Sequence, residues 1–264
     1  AAWQLAWDDG GSAPELYFAT AVGPDTNTAV SEPEVTSAEG WLSVAYEYEA
    51  GDLAVRKTEA WAEDGKTMLI HFRAHNVRER SVTDLRLLYS ADPDQDNNLG
   101  TSETVNELID IDEDGLGDLV LAVGPVSGYT MAIGSCSEAD VGVNGQWSSS
   151  HDADVELADP LGARSDVAIG IRVNADAELA GGESLGVSFL VVFADTPGEA
   201  VSQFEDQLAL CTSCDADGDG WLALECGGAD CDDTNARAFP GGTEVWYDGV
   251  DGDCDGESDY DADL

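Results

Sequence analysis

Alternating apolar and polar residues characterise most of the first 195 residues. The clearest example is residues 67–75, in which Met68, Ile70, Phe72 and Ala74 occupy every second position. Because successive side chains of a strand point to opposite faces, this period of two predicts a strand with one buried face. Six more segments are predicted strands: residues 41–48, 82–89, 119–123, 129–133, 167–173 and 185–193. We therefore predict an all-β fold, an antiparallel β-sandwich, in which the almost entirely apolar residues 185–193 form a central strand.

One short helix is indicated near residue 200, where the period changes. Thr196 and Glu199 have the spacing of a capping box, and the apolar residues that follow recur at helical spacing. This pattern predicts a helix over residues 197–210 that packs on the sandwich. No Gly/Ser-rich linker follows the helix, so we expect a sandwich domain, residues 1–210, to carry a docked, loop-rich module, residues 211–264.

The chain is apolar enough to build a core, yet its surface must be strongly acidic. It has 264 residues, 43% of them hydrophobic, and 10 basic against 55 acidic residues give a formal net charge of −45. Such a surface repels nucleic acids and anionic membranes, so we expect neither as a partner. No apolar stretch reaches about 18 residues, so we expect no membrane insertion. The start at Ala1-Ala2, without methionine, is what removal of a signal peptide would leave.

The C-terminal segment combines carboxylates with glycines and cysteines. Between residues 211 and 264, sixteen Asp and Glu residues stand against a single basic residue, Arg237. Hard divalent cations, above all Ca²⁺, take about six to eight oxygen ligands, and glycine lets the backbone turn sharply around them. The segment therefore predicts a module that binds several Ca²⁺ ions and folds fully only with metal and disulfides.

The first part of this module has the spacing of an EF-hand-type loop, but its twelfth position, Cys226, cannot close the site. The predicted ligands are therefore Asp215, Asp217, Asp219, the carbonyl of Trp221, and either Asp230 or Asp232 as the closing carboxylate. Further oxygens come from Asp233, Asn235, Glu244, Asp251, Asp253 and Asp255.

Six cysteines are present, five of them in the module: Cys136, Cys211, Cys214, Cys226, Cys231 and Cys254. Two interpretations are open. Cys211 and Cys214 have the spacing of half a zinc knuckle, but no second pair follows, and thiolates among so many carboxylates would be hard to ionise. Disulfides in an oxidising, extracellular compartment are favoured instead. The predicted pairs are Cys136–Cys211, Cys214–Cys226 and Cys231–Cys254.

The module also resembles a known family. Residues 230–233 read DCDD, Pro240-Gly241 and Glu244 follow, and residues 248–256 read DGVDGDCDG. This run resembles the MopE-type metal-binding repeat of secreted bacterial proteins. The resemblance implies metal binding and a secreted or surface location, but no activity. Although the family name comes from a copper-associated protein, these aspartates favour Ca²⁺, because copper prefers imidazole or sulfur ligands.

A second calcium loop is predicted at residues 110–118 of the sandwich. Five oxygen donors stand at positions 1, 3, 5, 7 and 9 of an EF-hand-type loop: Asp110, Asp112, Asp114, the carbonyl of Leu116, and Asp118. The twelfth position, Leu121, is not a carboxylate. The loop resembles the calcium loops of FG-GAP repeats, which also run straight into a strand. The alternative is an ordinary polar hairpin turn.

A third candidate loop covers residues 92–98. Its oxygen donors alternate but lack the glycine of the other loops, so a solvated acidic loop competes with a calcium site. The candidate ligands are Asp92, Asp94, Asp96 and Asn98.

The sequence lacks a convincing catalytic constellation, so we expect no enzyme. His71 and His75 share one face of a strand, a spacing that can bind metal, but we expect them to be solvated. His151-Asp152 follows a serine-rich run, residues 148–150, but without a nucleophile elbow. With 55 acidic residues, carboxylate pairs for glycoside hydrolysis arise by chance, which leaves a carbohydrate-active enzyme as a lesser alternative.

Two non-enzymatic functions remain. We favour a secreted, calcium-binding structural protein that self-assembles into a filament or layer on the cell surface or in the matrix, with residues 1–5 pairing to a neighbouring subunit's sheet edge. The alternative is a calcium-dependent carbohydrate-binding or adhesion module that recognises extracellular polysaccharide. Tryptophans could offer stacking faces for a sugar, although core packing explains them equally well: Trp3, Trp7, Trp41, Trp61 and Trp147.

Overall fold

The computed structural model describes residues 2–8, 15–20, 34–38, 40–63, 65–113, 117–135, 139–143, 157–158, 162, 164–175, 178–226, 228–245 and 247–256. Within them the chain forms fourteen strands, in the order β1 (Ala2–Asp8), β2 (Glu15–Thr20), β3 (Glu34–Ala38), β4 (Trp41–Ala50), β5 (Leu53–Ala62), β6 (Thr67–Asn76), β7 (Thr83–Ala91), β8 (Thr104–Ile109), β9 (Leu119–Val123), β10 (Thr130–Ser135), β11 (Asp140–Val143), β12 (Arg164–Ser165), β13 (Ile169–Ala175) and β14 (Ser184–Ala194). One α-helix, α1 (Pro197–Ser213), and two 3₁₀ turns, Asn97–Leu99 and Leu224–Cys226, complete the described elements.

The strands form two antiparallel sheets. The order is β11-β13-β7-β1-β2 in the five-stranded sheet and β12-β8-β9-β10-β14-β6-β5-β4-β3 in the nine-stranded sheet. The predicted antiparallel β-sandwich is confirmed. The apolar residues 185–193 lie within β14, the fifth of the nine strands, as expected for a central strand.

A hydrophobic core fills the space between the two sheets. Phe189 of β14 packs against Tyr89 of β7, with 6.0 Å between ring centroids, and against its neighbour Phe72, at 6.1 Å. Trp3 of β1 contacts Phe72 from the facing sheet, at 5.1 Å. Burying each such side chain contributes about 1.5–3 kcal/mol, so this core holds the sheets together.

The nine-stranded sheet is also covered on its outer face. Leu69 and Leu190 point away from the inter-sheet core and pack with Phe204 of α1 and Leu222 of the module. Gly134 makes room for the helix, because a Cβ there would lie 2.3 Å from the Phe204 ring. Burial on both faces explains why β14 is apolar at almost every position.

Helix α1 begins where the capping signals predict. The Glu199 N–H donates to Thr196 Oγ1 at 3.2 Å, and the first helical residue is Pro197. The helix continues to Ser213, past the boundary predicted near residue 210, and therefore carries the chain directly into the module. Among the described residues, no helix is long and apolar enough to cross a membrane.

The N-terminal strand corrects one expectation. Residues 1–5 were expected to pair with a neighbouring subunit, but β1 lies between β2 and β7 of its own sheet. Trp3, Leu5 and Trp7 are buried in the core. A strand hydrogen-bonded on both sides and packed underneath is not available for strand exchange.

Candidate metal centre

Asp215, Asp217 and Asp219 reach the module on a loop that begins at the end of α1. Cys214 anchors this loop in the hydrophobic cluster on the outer face of the nine-stranded sheet and is joined by a disulfide to Cys226. Gly218 and Gly220 adopt φ angles of +77° and +87°, which favour glycine, so the chain can turn tightly between the aspartates.

Five aspartates from two segments converge in the module. The ligand oxygens of Asp215, Asp217 and Asp233 lie within 4.8 Å of one another, and so do those of Asp217, Asp219 and Asp230. Asp217 belongs to both groups. The sequence placed all five among the predicted ligands, and the structure unites them in one cluster, which we call the aspartate cluster.

The backbone orients each of these carboxylates through one oxygen. Every Oδ1 accepts one backbone N–H, over 2.8–3.4 Å, and the donors are Gly220 for Asp215, Asp219 for Asp217, Trp221 for Asp219, Asp232 for Asp230, and Ala216 for Asp233. Trp221 and Asp232, the other predicted ligands of this site, thus flank the cluster and support it through their N–H groups.

Several of the second oxygens are buried without a partner. Asp230 is only 2% exposed, and its Oδ2 accepts no hydrogen bond. The Oδ2 atoms of Asp217 and Asp219 are likewise buried and unpaired. A buried carboxylate oxygen is costly unless a cation or a donor compensates it. Unpaired oxygens of this kind, in a group with ligand spacing, fit a hard cation.

The pKa values of these carboxyls also indicate negative charge that is buried without compensation. Burial, followed by repulsion from Asp219, Asp217 and Asp233, raises the pKa of Asp230 to about 7, although the N–H of Asp232 lowers it. Burial is also the largest cause that raises the pKa of Asp219 to about 6. The pKa of Asp233 is raised as well, mainly by burial. Without a positive charge, the native structure therefore holds these carboxylates unfavourably.

The other predicted ligands of the module make turns in its last loops. Their carboxylate oxygens accept hydrogen bonds within these loops: Asp232 from Thr234 Oγ1 (2.8 Å), Glu244 from the Gly252 N–H (2.8 Å), Asp251 from the Gly256 N–H (3.1 Å), and Asp253 from the Asp255 N–H (3.3 Å). Glu244 also buries an unpaired Oε1. These contacts fix the loop around residues 244–256, and a role of its carboxylates in cation binding stays a prediction.

Two of the three predicted disulfides are confirmed. Cys214 pairs with Cys226, and Cys231 pairs with Cys254. Although Asp230 lies beside the sulfurs of Cys231 and Cys254, a disulfide offers no thiolate, so zinc is not favoured there. Cys136 lies outside the described residues, and the Cys136–Cys211 pair stays a prediction.

The loop between β8 and β9 brings three of its predicted ligands together. The ligand oxygens of Asp110, Asp112 and Asp118 lie within 4.8 Å of one another, and Asp118 accepts a hydrogen bond from the Ile111 N–H. Asp114 and Leu116 lie outside the described residues. Both the calcium loop and the polar hairpin turn remain compatible with this geometry.

The loop after β7 gathers a different set from the one predicted. Asp92 and Asp94 approach Asp166, which sequence reasoning missed because no local pattern connects it to them. Burial, then repulsion from Asp94 and Asp166, raises the pKa of Asp92. Asp96 instead accepts the N–H groups of Val126 and Ser127, at 2.7 and 3.2 Å, and so fastens another loop. Asn98 lies exposed in the 3₁₀ turn Asn97–Leu99.

The histidine predicted to be solvated is buried. His71 is 3% exposed, with Nδ1 at 2.8 Å from Ser188 Oγ and Nε2 at 2.8 Å from the carbonyl of Gly220. The outer face of β6 is therefore covered by the module. His75, further along the same face, is partly buried and contacts Ser184 Oγ at 3.0 Å.

The features that suggested other functions have structural roles or lie outside the described residues. Trp3 and Trp7 are buried in the core and present no face to a sugar, and Trp41 and Trp61 pack against the hydrophobic clusters. Trp147 and the serine-rich run with His151-Asp152 lie outside the described residues.

One family model matches the chain, over residues 230–260. It is described as "Putative metal-binding motif" and corresponds to the MopE type. The expected resemblance of the module is thereby confirmed, and the motif contains Asp230 and Asp233 of the aspartate cluster, whereas Asp215, Asp217 and Asp219 precede it. No curated protein matches the chain significantly.

Solved structures with a similar arrangement include carbohydrate-active enzymes. They include a polysaccharide lyase (11% identity, TM-score 0.47, 78% of this chain and 27% of that chain covered) and a bacterial glucoamylase complexed with acarbose (13%, 0.47, 78% and 28%). A GH36 α-galactosidase from Geobacillus stearothermophilus is another (10%, 0.42, 79% and 32%). The chain spans about a third or less of their length, and TM-scores this low support neither a shared fold nor a shared activity.

Proposed function

We propose that this chain is an extracellular calcium-binding structural protein, in which Ca²⁺ at the aspartate cluster holds the C-terminal module in its folded form. The observation that carries the proposal is Asp230, which is 2% exposed, has an unpaired carboxylate oxygen and lies in one group with Asp217 and Asp219. The donors of the cluster are all carboxylates, the ligand type that Ca²⁺ prefers, and it contains neither imidazole nor free thiolate.

Charge and grouping favour two ions in the cluster. Asp217 is common to both groups, which gives it the position of a bridging carboxylate. One Ca²⁺ would leave three of the five negative charges uncompensated. Two would leave one, which the guanidinium of Arg73, in electrostatic contact with Asp219 and Asp215, offsets.

The test is a calcium count on the full chain. We expect native mass spectrometry and titration calorimetry to find Ca²⁺ bound after chelation and reloading, with Asp217→Asn losing two ions and Asp233→Asn losing one. Asp248→Asn is the matched control, since Asp248 is exposed and lies outside both groups named above. Wild-type protein that binds no Ca²⁺, or an Asp217→Asn variant with the full count, would refute the proposal.

Calcium-dependent assembly is the wider part of the proposal. Subunits with a net charge of −45 can associate closely only if cations bridge or screen them. Among the described strands, β3 forms one edge of the nine-stranded sheet, and its Val35 is 64% exposed, which favours β3 over β1 as a contact surface. Negative-stain microscopy at high protein concentration tests this point: particles that remain monomeric with Ca²⁺ and with chelator contradict assembly.

A further inference from the structure

We propose that the sandwich takes part in cation binding. In this inference, which rests on the proposed function, His71 of β6 and Gly186 of β14 are positioning residues for the loop that carries Asp215, Asp217 and Asp219. Docking of the module on the outer face of the nine-stranded sheet and binding of Ca²⁺ are then two linked equilibria. The evidence comes from three contacts between sheet and module.

The first contact is the hydrogen bond from His71 to the module. A carbonyl oxygen only accepts, so Nε2 of His71 donates to Gly220 at 2.8 Å, and Nδ1 accepts the hydroxyl hydrogen of Ser188 at 2.8 Å. Gly220 stands between Asp219 and Trp221, both of which belong to the predicted calcium loop. His71 thus fixes the peptide that sets the direction of the Asp219 side chain.

The second contact is the close approach of the loop to the backbone of β14. Gly186 pairs with Arg73 in the sheet. A Cβ at Gly186 would lie 2.7 Å from Asp215 Oδ2 and 3.0 Å from Gly220 Cα. Only glycine lets the loop lie this near, so the strand itself forms one wall behind Asp215.

The third contact is the packing of Trp221. The guanidinium groups of Arg56 and Arg73 each lie 5.0 Å from the centroid of its ring, which also stacks on Phe239 at 6.4 Å with an interplanar angle of 11°. Leu222 beside it is buried with residues of the sheet. The two ends of the Asp215–Asp219 segment are thus held by the sheet through Cys214 and through Trp221 and Leu222.

If docking and calcium binding are linked, the three contacts have a measurable effect on the Kd for Ca²⁺. If docking orients the ligand loop, docking lowers the Kd for Ca²⁺, and Ca²⁺ favours docking by the same factor. A change in β6 or β14, outside the metal-binding motif and the acidic loops, must then weaken calcium binding. A merely structural role of these residues would change stability and leave the Kd of the cluster unchanged.

The experiment compares full-length variants by calcium titration, with the binding component lost in Asp230→Asn defining the cluster. We expect Gly186→Ala and His71→Ala to raise the Kd of this component about tenfold or more. His71→Gln should recover most of the affinity, because its carboxamide can donate to the Gly220 carbonyl. Gly198→Ala is the control, since a Cβ there meets nothing within 4 Å.

Two further measurements distinguish a loss of calcium affinity from a loss of folding. Thermal unfolding in chelator shows whether each variant retains a folded sandwich. If His71→Ala fails to fold, Ser188→Ala replaces it, and we expect this variant to raise the Kd for Ca²⁺ by a smaller factor. Hydrogen exchange of β6 and of residues 214–226 should slow with Ca²⁺ in wild-type protein and less in Gly186→Ala. A variant Kd within twofold of wild type overturns the inference, whereas wild-type protein without calcium binding overturns the proposed function itself.

Discussion

Replacing Asp230 by Asn should change the stability of the module in opposite directions with and without Ca²⁺. Burial and neighbouring carboxylates raise the pKa of Asp230 from 3.8 to about 7, so at pH 8 the cation-free native state carries this charge unfavourably. Asn keeps the Oδ1 that accepts the Asp232 N–H and removes the charge. In chelator the variant should therefore be the more stable protein.

The size of this gain in stability follows from the raised pKa of Asp230 and from its distance to the neighbouring carboxylates. A shift from 3.8 to about 7 corresponds to about 4 kcal/mol, at about 1.36 kcal/mol per pKa unit. Two unit charges at 4.8 Å, the largest separation within either group, repel by about 3.5 kcal/mol at an effective dielectric constant of about 20. Protonation and relaxation of the neighbouring carboxyls reduce the effect on stability below both values. We expect the free energy of unfolding in chelator to rise by about 2 kcal/mol at pH 8.

With Ca²⁺ the sign reverses. Calcium at about 1,000 times the wild-type Kd stabilises the folded form by about 4.1 kcal/mol. A variant that lacks one ligand loses most of this gain, which exceeds the roughly 2 kcal/mol that it gains in chelator. Urea unfolding followed by tryptophan fluorescence, in chelator and in calcium, measures both effects. Glu107→Gln, an exposed position on β8, controls for simple relief of the net charge. A variant that is destabilised in chelator would refute the unfavourable charge of Asp230, and one whose stability calcium raises as much as that of wild type would show that Asp230 is not a calcium ligand.

The pH dependence of stability in chelator checks the predicted gain from Asp230→Asn. Since the folded pKa of Asp230 lies above its unfolded value, its contribution to cation-free stability is fully present below pH 3.8 and is lost as the pH rises through about 7. The gain from Asp230→Asn in chelator should therefore shrink from pH 8 towards pH 4. A gain that stays constant over this range contradicts the electrostatic explanation.

Three more predictions concern the cluster and its support. Calcium affinity should fall between pH 8 and about pH 5.5, because Asp230 and Asp219, with pKa values of about 7 and 6, take up protons; titrations with equal Kd at both pH values would contradict this. Replacing Cys231 and Cys254 by Ser should raise the calcium Kd, because their disulfide holds the segment that begins at Asp230; an unchanged Kd, measured by calorimetry, counts against it. Phe204→Ala should lower the free energy of unfolding by about 3–5 kcal/mol in urea titrations, and a loss below about 1 kcal/mol would show that α1 does not anchor the sheet.

The sequence predicts best those strands whose apolar residues either alternate regularly or run almost without interruption. Residues 67–75 and 185–193 were found from their apolar positions, and both became central strands. β5 gave no such signal, because Arg56 and Lys57 interrupt its pattern. In the structure Arg56 forms ion pairs with Glu34 and Glu47, and Lys57 pairs with Glu59. Charges that are compensated by ion pairs within a sheet hide a strand from any argument based on periodicity.

The sequence predicted which residue types form the candidate site, but it did not predict which of these residues lie together. The DxDxDG spacing identified Asp215, Asp217 and Asp219, because their separation is local. Which carboxylate completes the site depends on how the chain returns after the Cys214–Cys226 disulfide, and the answer includes Asp233 as well as Asp230. The approach of Asp166 to the loop after β7, and the module over His71, depend on tertiary contacts that leave no mark on sequence spacing.

The few cationic side chains of the chain explain why neutral contacts dominate the docking surface. Arg56 and Arg73, two of only 10 basic residues, each contact the Trp221 ring, and Arg73 attracts Asp219 electrostatically. When Ca²⁺ neutralises the aspartate cluster, this attraction weakens, so it cannot by itself hold the cation-bound module on the sheet. The contacts that survive neutralisation are the N–H of His71, the close approach at Gly186, and the burial of apolar side chains. Because these contacts persist in the cation-bound form, docking and cation binding can reinforce each other even though the sheet presents positive charge to the site.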